Sequence, residues 1–145
     1  MFDPLAMTAT TLDASPASGA TSTARDLARL ARELLAPTLV SQATHRLATS
    51  VAFPGLVGLV PGFGRQDPND WGLGFELRDH KAPHWTAPGN DPSTFGHFGR
   101  DGSFIWVDPA AGVALTVVTD EIFERWAVEA WPRLGQEVLD AGPFD

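Results

Sequence analysis

The sequence predicts an α+β fold, an antiparallel sheet of three to four strands flanked by helices. Two observations carry that prediction. Two apolar runs, Phe104-Ile105-Trp106-Val107 and Val113-Ala114-Leu115-Thr116-Val117-Val118, flank the turn Asp108-Pro109-Ala110-Ala111-Gly112 and read as a hairpin that is apolar on both faces. Such a hairpin belongs inside a sheet covered on both sides. Helical periodicity brackets the strands, over 23–36 before them and over 121–140 after them. The final helix is placed on one face of the sheet and the 23–36 helix towards the other.

Taken in order, residues 1–21 are rich in Thr, Ser, Ala and Pro without periodicity and form an extended lead-in. Thr23 with Asp26 three residues on makes a capping-box-like start; Leu27, Leu30, Ala31, Leu34 and Leu35 then recur on one helical face until Pro37 stops it. Arg25, Arg29, Arg32 and Glu33 occupy the solvated side. Positions 47–64 are uncharged and of membrane-spanning length, but Pro54, Pro61 and four glycines break any helix, so 47–70 is a turn-rich loop and no membrane span is expected. The region 71–119 holds the strands: 71–78, with two glycines marking a close approach, then 94–100, 103–107 and 113–119. In 121–140 the stripe Ile122, Phe123, Trp126, Ala130, Trp131, Leu134, Val138 and Leu139 is a core face, with Pro132 kinking the helix or starting a second one. Trp126 and Trp131 are assigned to core packing.

Composition excludes several functions. With ten Lys plus Arg against eighteen Asp plus Glu, the net charge of −8 repels phosphate backbones, so no nucleic-acid partner is expected. The absence of Cys removes thiolate chemistry and sulfur metal sites. There is no Tyr, and Lys81 is the only Lys. The opening Met1-Phe2-Asp3-Pro4 lacks the basic start of an export signal, a lean towards the cytoplasm that leaves the compartment open.

Metal readings fail on spacing. His80 and His84 stand i, i+4, but Pro83 breaks the helix that would align them and no third ligand is patterned nearby. An EF-hand loop counted from Asp67 places Gly72 at its sixth position but Arg78 where a Glu is required, so 65–70 reads as a surface turn. No metal and no cofactor are expected. His45, near a helix end, is a surface or capping residue. His97 differs, because it lies in Phe95-Gly96-His97-Phe98-Gly99-Arg100, where period two puts Phe95, His97 and Gly99 on one face with Phe98 packed behind. The bare backbone at Gly99 would let a substrate lie against the strand, beside an imidazole that can donate or accept a hydrogen bond. A Ser-His-Asp triad from Ser93 or Ser103, His97 and Asp91 or Asp101 is disfavoured, since neighbours on one strand point in fixed directions.

From His97-Phe98-Gly99 through the hairpin to the Trp-rich final helix, the chain resembles the C-terminal part of the serine β-lactamase and penicillin-binding-protein family, in its class C and esterase-like branch. Further pieces occur in family order. Phe2-Asp3-Pro4-Leu5-Ala6-Met7 resembles the family's PLGM segment with Ala6 in place of Gly, Ser22-Thr23-Ala24-Arg25-Asp26-Leu27-Ala28 resembles its STARDLA helix start, and Trp71-Gly72-Leu73-Gly74-Phe75 the strand before its third motif. The resemblance covers nearly all of 1–145 but only the later part of the family's domain, and implies a partial β-lactamase/transpeptidase-like fold. It also implies acyl transfer through a serine: Ser-x-x-Lys supplies nucleophile and base, Tyr-x-Asn a second proton carrier, and Lys/His-x-Gly the substrate strand. By that resemblance His97 is catalytic, and Phe98, Gly99, Arg100 and Asp120 bind substrate. The Arg100 N–H is one oxyanion donor and the nucleophile's N–H the other.

The first two motifs are excluded by counting. Arg78 stands three residues before the only Lys, and there is no Tyr. An isolated chain of this sequence is therefore expected to be inactive by the family mechanism. Asp120, where relatives often carry Asn, and His97 in place of Lys both disfavour an anionic substrate, which shifts the expectation from a true β-lactamase to an esterase or peptidase. Two readings follow. In one, the chain is a fragment of a serine hydrolase, acting on a small-molecule acyl substrate with a missing N-terminal half that carries the nucleophile. In the other, it is a stand-alone, non-catalytic binding module derived from that family.

Overall fold

The computed structural model describes residues 1–142. Eight short strands and three helices occur in the order β1 (Thr11–Leu12), β2 (Ala20–Thr21), α1 (Ala24–Leu35), α2 (Gln42–Ala48), β3 (Gly58–Val60), β4 (Gly64–Gln66), β5 (Glu76–Leu77), β6 (Phe95–Phe98), β7 (Phe104–Asp108), β8 (Val113–Val117) and α3 (Arg125–Ala141). β5 to β8 form one antiparallel sheet in sequence order. Two smaller hairpins, β1–β2 and β3–β4, stand apart from it.

Alternation along the central strands sorts the core into two layers. Phe104 and Trp106 of β7 point to the α3 side, where they meet Trp85, Ala127 and Trp131, with Phe98, Leu115 and Val117 at the margin. Val107 of β7 and Phe95 of β6 point the other way, onto Leu34, Leu35, Phe75 and Ala114. α1 thus covers one face and α3 the other, as the two-sided hairpin requires. α1 starts as expected, with the Thr23 side chain accepting from the Asp26 N–H at 3.3 Å.

The structure corrects several expectations. The lead-in pairs into β1–β2, because the fully buried Asp26 carboxylate accepts from the Ala9 N–H and the Thr10 hydroxyl, both at 2.9 Å, and ties that segment to α1. Burial pushes this carboxyl up, but the hydrogen bonds from Thr10, Ala9 and Arg29 outweigh it and hold it below the ordinary range. The loop region contains α2 and the β3–β4 hairpin. Its polar end is a surface turn only in part: Arg65, Asp67 and Pro68 are exposed, but Gln66, Asn69 and Asp70 are buried, and Asp70 Oδ1 accepts from the N–H groups of Gly55 and Leu56 at 2.8 and 3.1 Å. An apolar loop with unpaired amides needs an inward acceptor, and Asp70 provides it. The 71–78 strand shrinks to Glu76–Leu77 plus a bridge from Trp71 to Glu76. α3 runs through Pro132 as one helix, and of its two tryptophans Trp131 is fully buried whereas Trp126 is 36% exposed.

Candidate active site

β6 is held in place chiefly through Gly96. A Cβ there would stand 2.1 Å from the Ile105 carbonyl oxygen, 2.8 Å from Trp106 Cα and 3.0 Å from the Trp85 ring. The indole of Trp85 therefore lies against bare backbone, one residue from His97. Its Nε1–H donates to Glu76 Oε2 at 2.8 Å, and Glu76 is the residue paired with Gly96 across the sheet.

Glu76 anchors a buried charged cluster that sequence reasoning missed. Lys81 lies 3.8 Å from Glu76 Oε1 and donates to the carbonyls of Asp70, at 2.9 Å, and Leu77. His84 Nε2 donates to Glu76 Oε1 at 3.3 Å, while its Nδ1 accepts from the Thr86 hydroxyl and N–H. With Nδ1 acting as an acceptor, His84 is neutral, and its burial pushes its pKa down against the pull of Glu76. Burial likewise lowers Lys81, opposed by Glu76, Asp79 and Asp70. Burial also pushes the Glu76 carboxyl up, but hydrogen bonds from His84 and Trp85 and the nearby charge of Lys81 hold it below the ordinary range. The only Lys is thus occupied in holding the fold. The spacing gave no signal, because Lys81 lies five positions from Glu76, a step that neither a helix nor a strand puts on one face.

The two layers of the sheet place His97 where expected, on the α1 side with Phe95, while Phe98 packs behind against Trp85, Phe123 and Trp131 at ring separations of 5.0 to 5.5 Å. His97 is exposed and meets the Trp71 ring edge-on at 5.6 Å. It lies between two cavities. One, of about 370 Å³, is bounded by His97, Gly99, Asp101, Ser103, Ile105 and Thr119. The other, of about 400 Å³, is bounded by the β3–β4 hairpin, Trp71, His97, Phe98, Arg100 and Phe123. The Arg100 carbonyl accepts from the Phe123 N–H at 2.9 Å, and no hydrogen bond among the described residues uses the Arg100 N–H.

Other sequence-selected residues fall as follows. The space left by Gly99 is not open: Asp101 Oδ1 lies 2.1 Å from the position its Cβ would take. Asp120 is exposed three residues past the end of β8 and bounds neither cavity beside His97. Ser103, His97 and Asp101 share a cavity, but no hydrogen bond joins them among the described residues. Ser93 and Asp91 bond each other in a local turn at the opposite end of β6. His80 points outward at 86% side-chain exposure while His84 points inward, so the pair does not converge. His45 Nε2 donates to the Leu34 carbonyl at 2.8 Å, satisfying the last turn of α1.

A four-stranded antiparallel sheet between two helices, with a His-x-Gly strand opening onto cavities at its end, is a partial β-lactamase-like fold. The chain belongs to the beta-lactamase family, whose profile matches residues 2–137. It is similar to the crystal structure of a beta-lactamase from Mycobacterium bovis, with 54% sequence identity and a TM-score of 0.91 over 96% of this chain and 52% of that one. The chain therefore spans about half the length of that structure. Among curated proteins no relative matches. No helix among the described residues is long and apolar enough to cross a membrane.

Proposed function

We propose that the chain is the C-terminal segment of a beta-lactamase-related serine hydrolase, supplying the substrate-binding strand and one oxyanion donor but not the nucleophile. The observation that carries this reading is the Arg100 N–H, free of any acceptor among the described residues, directly after His97-Phe98-Gly99. In the proposed reaction a serine oxygen from outside these residues adds to the substrate carbonyl carbon, and its proton passes to a base that is also outside them. The oxyanion is held by the serine's own N–H and by that of Arg100, a pair of donors fixed before the charge develops. Collapse expels the alcohol or amine, which takes up a proton, and water then releases the acyl group. His97 is the candidate proton carrier and hydrogen-bond donor beside the reacting carbonyl. The substrates of this reading are small acyl compounds, esters before anionic β-lactams, since Asp101 adds negative charge to the cavity beside His97.

The test is the mass of the protein made in its source cells, detected with an antibody to residues 93–120, and its labelling by a fluorophosphonate. The expected result is a labelled species well above 15.5 kDa whose acylation by an ester falls on His97→Ala. An unlabelled species of 15.5 kDa overturns the reading. A second reading, a non-catalytic binding module, is favoured by the helices that cover both faces of the sheet within this chain. It requires the purified chain to be a soluble monomer that unfolds cooperatively.

A further inference from the structure

We propose that an outward apolar surface, formed by Leu47, Val51, Phe53, Leu56, Val57 and Leu73, docks the chain on the headgroup boundary of a lipid surface. This goes beyond the hydrolase reading and does not depend on it. All six side chains are between 44% and 64% exposed. They are neighbours because 47–57 runs along 69–73: the Leu73 N–H donates to the Ala48 carbonyl and the Ala52 N–H to the Trp71 carbonyl, both at 2.9 Å, and the Asn69 N–H to the Leu56 carbonyl at 2.6 Å. The run from Leu47 to Gly64 carries no charge, and of its large apolar side chains only Val60 and Phe63 are buried. An apolar patch this continuous marks an interaction surface.

The loop is built inside out. Its polar partner, Asp70, is 7% exposed and turns inward to accept from the Gly55 and Leu56 N–H groups, while the apolar side chains face water. The Ala52 N–H is bonded as well and Pro54 carries none, so three of the four donors over 52–56 are already used within the chain. Such a loop can leave water without stranding those donors, which is the requirement an acyl layer imposes, since lipid offers backbone groups no partner. A protein interface instead carries about one hydrogen bond per 100–200 Å². The loop has little left to supply to one, which favours lipid over a second copy or an absent half of the protein.

Charge agrees. Between Arg46 and Asn69 the only charged residues are Arg46, Arg65 and Asp67, one net positive charge in a chain of −8. Arg65 and Asp67 pair at 3.1 Å, and Arg46 is exposed one residue before Leu47. Its guanidinium can therefore stay at the phosphate level while Leu47 enters, the arrangement of interfacial segments with a cationic flank. The acidic excess that repels phosphate lies outside this segment.

The experiment floats the 145-residue chain with vesicles of phosphatidylcholine on a density gradient. The chain is expected to rise with the vesicles, and Phe53→Asp to weaken partitioning about tenfold or more without changing Tm, because Phe53 is 64% exposed. Phe53→Leu should retain binding, and Leu12→Asp, on the separate β1–β2 hairpin, should leave it unchanged. A chain that stays with the dense fractions, binding untouched by Phe53→Asp, or equal losses from Phe53→Asp and Leu12→Asp each overturns the proposal. Concentration-dependent dimerisation abolished by Phe53→Asp, with no flotation, assigns the patch to a second copy and overturns it as well. So does flotation of this chain but not of a larger species from source cells, which assigns the patch to the absent half.

Discussion

Gly96→Ala is the substitution on which the account of the site depends most. The added methyl would lie 2.1 Å from the Ile105 carbonyl oxygen and 2.8 Å from Trp106 Cα, where ordinary contact begins near 3.4 Å. Both obstacles are backbone of the paired strand, so relief requires β6 and β7 to part by more than an ångström at the Gly96–Trp106 pair. Overpacking of this kind costs about 1–3 kcal/mol, and backbone obstacles put the value at the upper end. Replacing Gly by Ala in a strand returns roughly 0.5–1 kcal/mol of chain entropy, which leaves a net loss of about 2 kcal/mol. With a urea m-value of about 2 kcal/mol/M, the unfolding midpoint falls by roughly 1 M. Gly99→Ala, three residues along the same strand end, is the control. There the methyl meets only the carboxylate of Asp101, an exposed side chain free to rotate away, so the midpoint should stay the same or rise slightly. Equal midpoints for the two variants would refute the claim that Gly96 seats the His97 strand against β7 and Trp85.

The remaining predictions concern the buried polar groups. Lys81→Met leaves the Glu76 carboxylate buried without its cation and should cost about 3–5 kcal/mol, and combining it with Glu76→Gln should cost less than the sum of the two, as measured by a double-mutant cycle in urea. His84 has a folded pKa below its unfolded value of about 6.5. Below that pH the unfolded chain binds a proton that the folded chain refuses, so stability falls as pH drops until the folded value is passed. Tm measured from pH 7.5 to 5 should decline, and His84→Gln should flatten that decline. Asp26 and Glu76, with lowered folded pKa values, add stability at neutral pH that is lost as pH falls through those values, so a second loss should appear below about pH 4. Asp70→Ala strips the acceptor from two loop amides and should cost about 1–3 kcal/mol, read as a lower Tm with residues 53–57 losing amide protection first.

What the sequence revealed and what it concealed divide along one physical line. The Thr23 cap, the face of α1, the alternation that puts His97 opposite Phe98, and the β7–β8 hairpin all depend on residues a few positions apart, so a period of 3.6 or 2 exposes them. The inward turn of Asp70 onto the amides of Gly55 and Leu56, the carboxylate of Asp26 under Ala9 and Thr10, and the seating of Trp85 on Gly96 join loops across 11 to 17 positions with no repeating spacing. The same division runs through the candidate site. His97, Phe98, Gly99 and Arg100 were legible because they share one strand end, but the filling of the Gly99 space by Asp101 depends on how the turn after β6 folds back. The apolar wall came from a segment read as loop, because Leu59, Val60 and Pro61 belong to a hairpin only three residues wide, too short for alternation to register. Alternation along one strand therefore exposes the His97 motif, whereas the cavity beside it is walled by loops whose apolar residues follow no period.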